Sequence, residues 1–269
     1  MINPIFKNTP ILIKGAGDLA TGVAARLFHA GFPVAMTEIP TPTMVRRAVC
    51  FGSAVYEGEI TVEDLTAARV AANDIEGCLA QGKIPVVVDP TANTLKRWPP
   101  VVLIDAIMAK HNTGTRITDA PLVIALGPGF TAGQDCHYVI ETNRGHWLGR
   151  IINRGAAQAN TNTPGVVKGQ TKSRVLRAPA TGYLNPRAII GEAVKAGDVI
   201  GTVAGEPVIV PFDGVLRGLI HPGVPLTPGY KIGDVDPRGA REHCFTISEK
   251  SLAIGGGVLE AILRWKAEG

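Results

Sequence analysis

The sequence predicts an α/β fold: a parallel sheet covered by helices, an inserted all-β unit, and a C-terminal helix that returns to the sheet. Three observations carry this expectation. Continuous Val/Ile/Leu runs alternate with helical periodicity up to about residue 160. That periodicity vanishes over residues 174–237, where Gly, Pro and Val dominate. It returns at residues 252–265.

Each element has a local reason. Residues 11–14 are a short apolar run ending at Gly15. Residues 19–30 repeat apolar side chains at helical spacing (Leu19, Val23, Leu27) and stop at Gly31, a helix C-terminal signal. Residues 33–38 read as a second strand closed by Pro40 and Pro42. Residues 84–89, 101–107 and 122–126 are apolar runs of the kind buried on both faces of a parallel sheet. Residues 61–68 and 73–81 are expected to be helices between strands, the first with a capping-box-like Thr61 and Asp64. Residues 160–164 read as a polar linker.

The β segment carries an internal repeat with a constant offset of 32 residues. Pro179, Gly182, Leu184, Gly191, Gly197, Ile200, Gly201 and Val203 recur as Pro211, Gly214, Leu216, Gly223, Gly229, Ile232, Gly233 and Val235. Two all-β half-units can each bury an apolar face against the other. The expected organisation is therefore residues 1–163 as the first domain, 164–240 as the β domain, and 241–269 as a helix packing on the first domain. A lone amphipathic helix is marginal in water, so it needs that partner.

Composition narrows the function classes. The chain has 269 residues, 45% hydrophobic and 19% charged, enough for a sizeable core. Its 32 glycines and 20 prolines exceed average usage and suit many turns. Aromatic residues are only 5%, and a net charge of +4 comes without a Lys/Arg block, so nucleic acid is not an expected partner. The longest apolar stretches, residues 84–88 and 101–109, are too short to span a bilayer. The start does not read as a signal peptide, because Lys14 interrupts its apolar run. The four cysteines are scattered without a CxxC pair. A soluble, cytoplasmic protein with no metal site and no membrane contact is expected.

The chemistry-bearing motif is Gly15-Ala16-Gly17-Asp18-Leu19-Ala20, a GxGxxA loop between a strand and a helix. Gly15 permits the tight turn, Gly17 lets a phosphate approach the backbone, and Ala20 allows close packing. The helix N-terminus offers unpaired N–H groups to an anion. Glu38 ends the second strand, where a carboxylate can accept ribose hydroxyls. Strand, loop, helix, strand and acid in this order describe a Rossmann-like unit. Asp18 occupies the place of a pyrophosphate and could cap the helix itself. Two readings stay open: a nucleotide site, or a site altered or vacated by Asp18.

Further candidates sit at expected strand ends, where open α/β sheets place ligands. They are Asp89, Asp105, the second glycine turn with Gly127 and Gly129, and the polar run Glu141-Thr142-Asn143-Arg144-Gly145-His146. Arg144 could pair an anion and His146 could carry a proton. No nucleophile motif is present, so catalytic residues are not assigned.

Two resemblances follow from these residues. Ala178-Pro179-Ala180-Thr181-Gly182, Gly191–Ile200 and Val210–Leu216 resemble a biotinyl/lipoyl-type domain, a barrel-sandwich hybrid with a pseudo-two-fold axis. The hairpin Ala204-Gly205-Glu206-Pro207 holds no lysine, so a swinging-arm carrier is not implied. The chain as a whole resembles the YqeB-type accessory proteins of selenium-dependent molybdenum hydroxylases. The residues carrying this are Ile13–Ala20, Thr37-Glu38-Ile39-Pro40, Val88-Asp89-Pro90, Ala125–Phe130 and Glu141–His146.

This resemblance implies a Rossmann-like domain related to XdhC-type chaperones, and a cofactor that is NAD, another nucleotide or the molybdenum cofactor. It also implies a molybdenum hydroxylase or its maturation proteins as partners. The alternatives are an NAD-dependent oxidoreductase and a non-catalytic interaction scaffold.

Overall fold

The computed structural model describes residues 2–3, 5–160, 169–170 and 172–268. The expected linker falls, from residue 161 onward, outside the described residues, as does the expected boundary at 163/164. The chain divides into two compact units. The first comprises Met1–Pro40, Phe51–Thr161 and Ile247–Gly269; the second comprises Thr41–Cys50 and Asn162–Thr246.

The first unit contains β1 (Ile11–Lys14), α1 (Asp18–His29), β2 (Val34–Glu38), α2 (Ala54–Glu57), β3 (Glu59–Val62), β4 (Leu65–Val70), α3 (Ile75–Ala80) and β5 (Ile84–Val88). It continues with α4 (Thr94–Arg97), β6 (Val102–Asp105), β7 (Leu122–Leu126), β8 (Thr131–Ala132), β9 (Tyr138–Ile140), β10 (Ile151–Ile152), β11 (Gly155–Ala156) and α5 (Glu249–Glu268). Among the described residues, nine strands form one sheet in the order β10-β9-β7-β6-β1-β2-β5-β4-β3. Ile11, Leu12, Ile13, Leu103, Ile104 and Leu122 are fully buried at its centre.

The expectation of a Rossmann-like parallel sheet is corrected here. The sheet is mixed: β3 runs antiparallel to β4 at one edge and β10 antiparallel to β9 at the other. Strand–helix–strand crossovers stand at β1–α1–β2 and β4–α3–β5, but they do not continue along the chain. α4 is only four residues long, and no helix joins β6 to β7. The helix expected over residues 61–68 is a β-hairpin instead. Ile60, Thr61, Val62, Thr66 and Val70 are β-branched and favour strands over helix. Glu63 turns the chain with φ +56°. A capping-box pattern is outweighed there by side-chain shape.

α5 contributes much of the helical cover. It packs on α1 and reaches β7, β9 and β10. Small residues permit the close approach. A Cβ at Gly22 would lie 2.4 Å from Ser251 Cβ, and one at Gly257 would lie 2.0 Å from the Gly149 carbonyl oxygen. Gly255 faces the Gly22 carbonyl oxygen in the same way, at 2.8 Å.

The second unit holds β12 (Val175–Arg177), β13 (Leu184–Pro186), β14 (Ala193–Val194), β15 (Val199–Val203), β16 (Glu206–Ile209), β17 (Gly214–Leu219) and β18 (Lys231–Asp236). The barrel-sandwich expectation is corrected to two small antiparallel sheets, β12-β18-β17-β14 and β13-β15-β16. Bulges at Leu176/Arg177, Val199/Gly201 and Leu216/Gly218 interrupt the ladders. The 32-residue repeat has a structural counterpart. Leu184 pairs with Val203 as Leu216 pairs with Val235, and Gly182 bridges Leu226 as Gly214 pairs with Val194. Thr41–Cys50 joins this unit because Val45 enters its core and accepts the Leu219 N–H at 2.7 Å.

The helix crossing yields a prediction. Gly257→Ala should destabilise by about 1–3 kcal/mol through overpacking. Gly256→Ala, on the same helix with nothing within 4 Å of the new Cβ, should stabilise by up to about 1 kcal/mol. Urea unfolding of the two variants checks the opposite signs.

Candidate functional site

The site is built where the strand order reverses. β1 pairs with β2 on one side and β6 on the other, all parallel, so their carboxyl ends share one edge. Ligands of open α/β sheets bind outside such an edge, at such a reversal.

β1 ends on Lys14, whose register partners are Thr37 of β2 and Asp105 of β6. Lys14 is buried, and so are Asp105 and Thr115. The Lys14 ammonium donates to Thr115 Oγ1 at 2.5 Å, and Thr115 Oγ1 donates to Asp105 Oδ2 at 2.5 Å. The direct Lys14 Nζ–Asp105 Oδ2 separation is 3.5 Å. The Ile107 N–H donates to Asp105 Oδ1 at 3.2 Å. A buried charge at the end of each strand is thereby paired and held.

The glycine loop follows at once. Gly15 has φ +91°, and a Cβ there would sit 3.0 Å from the Ala106 carbonyl oxygen, so the turn requires glycine. Gly17 is the extended N-cap of α1, with nothing within 4 Å of the Cβ position. Ala16 and Ala20 are buried, and Leu19 is half-buried.

The first free N–H of the loop is not left for a phosphate. Ala16 N–H donates to Glu38 Oε2 at 2.9 Å, and Ile39 N–H donates to Glu38 Oε1 at 2.8 Å. Burial pushes the Glu38 carboxyl above its ordinary value, and the two backbone hydrogen bonds oppose that rise. The carboxylate closes the loop from within, and two of its acceptor positions are taken by backbone N–H groups. Asp18 accepts from Ser251 Oγ of α5 at 3.0 Å. Two carboxylates therefore flank a loop expected to cradle an anion.

Other expected residues divide into those near this edge and those elsewhere. The turn at Gly127 and Gly129 is a packing turn. A Cβ at Gly127 would meet Thr142 Oγ1 at 2.4 Å, and one at Gly129 would meet His111 N at 2.6 Å. Glu141 is buried and accepts from the Asn143 and Gln158 N–H groups at 2.7 and 2.8 Å. Arg144 forms an ion pair with Glu249 at the start of α5. His146 is exposed and stands edge-on to Trp147. Asp89 caps the start of α4, accepting from Thr94 N–H at 2.6 Å and Thr94 Oγ1 at 2.7 Å. Burial raises Asp89, but the Thr94, Asn93 and Thr91 hydrogen bonds outweigh it and hold the carboxyl below its usual value.

Sequence reasoning missed Lys14, Thr115 and Lys250. Lys14 had a signal, as a lone cation ending an apolar strand. Thr115 and Lys250 had none, because each is placed by long-range packing. Burial pushes the Lys250 ammonium below its ordinary value; Arg144 adds to this, while Asp18, Glu141 and Glu249 oppose it. The start of α5 thus brings a cation among groups from α1 and the segment after β9. Among the described residues, no cluster of His, Cys, Asp and Glu could hold a metal ion. No helix of the described residues is long and apolar enough to cross a membrane.

The buried pair gives a prediction. Lys14→Met alone should cost about 3–5 kcal/mol, because Asp105 is left buried without its cation. Lys14→Met with Asp105→Leu should cost less than the sum of the single changes, as a double-mutant cycle by chemical unfolding would show.

No family model matches the chain. The chain is 50% identical over 261 residues to the uncharacterized protein YqeB of Escherichia coli K12, covering 96% of this chain and 48% of that protein. It thus spans about half the length of that relative.

Similar solved structures include an aspartoacylase-family protein of Mesorhizobium loti, 10% identical with a TM-score of 0.28, covering 84% of each chain. A succinylglutamate desuccinylase of a Silicibacter species is 13% identical with a TM-score of 0.26, covering 86% of this chain and 85% of that one. A succinylglutamate desuccinylase/aspartoacylase of Rhodobacter sphaeroides is 24% identical with a TM-score of 0.23, covering 24% of this chain and 22% of that one. At these scores the likeness transfers neither fold nor activity.

The expected role as a molybdenum-hydroxylase accessory protein, with its selenium and Rossmann associations, is corrected by these findings. The relative's name specifies no such role, the names of the three solved structures mention none, and the mixed sheet removes the Rossmann association. The names of the relative and of the solved structures mention neither an oxidoreductase nor a scaffold role.

Proposed function

We propose that the first unit binds a small, uncharged or cationic polar metabolite at the carboxyl edge beside β1, and exchanges a proton with it through Glu38. One observation carries this reading: a half-buried carboxyl group is fixed by two backbone N–H donors at the strand-order reversal. A carboxylate has about four acceptor sites, and two are used here. The remainder suit hydroxyl or amino donors of a ligand. Burial raises the carboxyl above its ordinary value, which favours its protonated form. Asp18 on the next turn repels an anion from the same place, so a free phosphate group is disfavoured.

The test is a thermal-shift panel of ribose, adenosine, ethanolamine and inorganic phosphate, with wild type and Glu38→Gln. Stabilisation by a hydroxyl- or amine-bearing compound, weakened at least tenfold in Glu38→Gln, is the expected result. A response to inorganic phosphate alone, unchanged by the substitution, would overturn the reading.

The Glu38 environment also sets a pH trend. A carboxyl raised in the folded state stabilises the protein fully below its unfolded value, and the contribution is lost as pH rises through the folded value. Wild-type stability should therefore carry a declining component from the ordinary value of 4.5 upward. Glu38→Gln should remove that component in urea titrations across pH.

A further inference from the structure

A second cleft opens at the carboxyl ends of β4 and β5, and its chemistry differs from that around Glu38. It encloses about 770 Å³, within the roughly 300–1,000 Å³ range of small-ligand sites. The strands lie side by side in parallel, with Val70 opposite Val87. Their last residues, Val70 and Val88, are among the apolar lining, and Val88 is 36% exposed. Arg69, Lys96 and Arg97 supply three cationic side chains. Asp89 is the single acidic residue of the lining.

The charges do not cancel locally. Asp89 is committed to Thr94 and Thr91, with its oxygens accepting hydrogen bonds from both. Arg69 uses one nitrogen on the Val55 carbonyl oxygen at 2.9 Å, and its guanidinium has further donors. Lys96 and Arg97 are exposed, and their side chains have no hydrogen-bond or ion-pair partner among the described residues. An apolar surface with two unpaired cations beside it, and its one carboxylate turned to a helix start, selects a particular chemistry.

We propose that this cleft is a binding site for a small amphiphilic anion, an apolar or aromatic body bearing a phosphate or carboxylate. The body rests on the exposed Val88, and the anionic head pairs with Lys96 and Arg97. Guanidinium and ammonium groups both pair phosphate and carboxylate, so the head group is left to experiment. This site does not use Glu38 and stands or falls independently of the function proposed above.

The test uses the fluorescent anion 8-anilinonaphthalene-1-sulfonate and its uncharged counterpart N-phenyl-1-naphthylamine, titrated into the native full chain. Saturable binding of the anion is expected, weakened at least tenfold in Lys96→Gln/Arg97→Gln and by raised salt. The uncharged probe should bind both proteins alike. Val88→Asp should weaken both probes. Lys96 and Arg97 are exposed, so unchanged circular dichroism and melting are expected of the double variant.

Phenyl phosphate and phenylacetate then compete for the bound anion. Displacement by either supports the site and identifies the preferred head group, whereas displacement by neither overturns it. Absence of saturable anion binding, or affinity unchanged in the double variant, would also overturn it.

Discussion

The first unit depends on how two neighbouring strands end. Lys14 closes β1 and Asp105 closes β6, in register, at the centre of the nine-stranded sheet. A lone charge in that place would be expensive to bury. The pair, relayed through Thr115, meets that cost in a fixed geometry. It also sets the start of the glycine turn, since Gly15 follows Lys14 directly and lies against Ala106, the residue after Asp105. Removing the pair would disturb the loop and the edge together.

From that anchor the site is closed from several directions. Glu38 comes from β2 and turns its carboxylate onto the Ala16 N–H. α5 comes from the far end of the sequence and places Ser251 on Asp18. The crossing of α1 and α5 is possible because glycines stand at the contact, so packing and site chemistry share residues. The same edge, two strands further along, changes character: β5 and β4 end in valines beside Arg69, Lys96 and Arg97. One sheet edge therefore presents a glycine loop flanked by carboxylates and a cationic, apolar-lined cleft.

Several of these features are legible in the amino-acid sequence. The buried runs at β1, β5, β6 and β7 read as strands because continuous apolar segments have few other homes. Gly15 reads as a forced turn, and it stands there at positive φ against Ala106. The hairpin β3–β4 reads wrongly as a helix because a capping pattern at Thr61 and Asp64 competes with β-branched side chains, and shape prevails. The parallel expectation fails at the edges, where pairing direction depends on where the chain turns back.

Side-chain shape, hydropathy and backbone freedom are local properties. They suffice for the strand-forming segments, the glycine turn, the repeat in the β unit and the polar residues that end the buried strands. What those ends meet is set by the folded arrangement instead. That Glu38 closes the loop, that Thr115 joins Lys14 to Asp105, and that Lys250 lies among Asp18, Glu141 and Arg144 are outcomes of long-range packing. The physical reason is that a titratable group's role follows from its solvation and partners, and these are contributed by segments far apart along the chain.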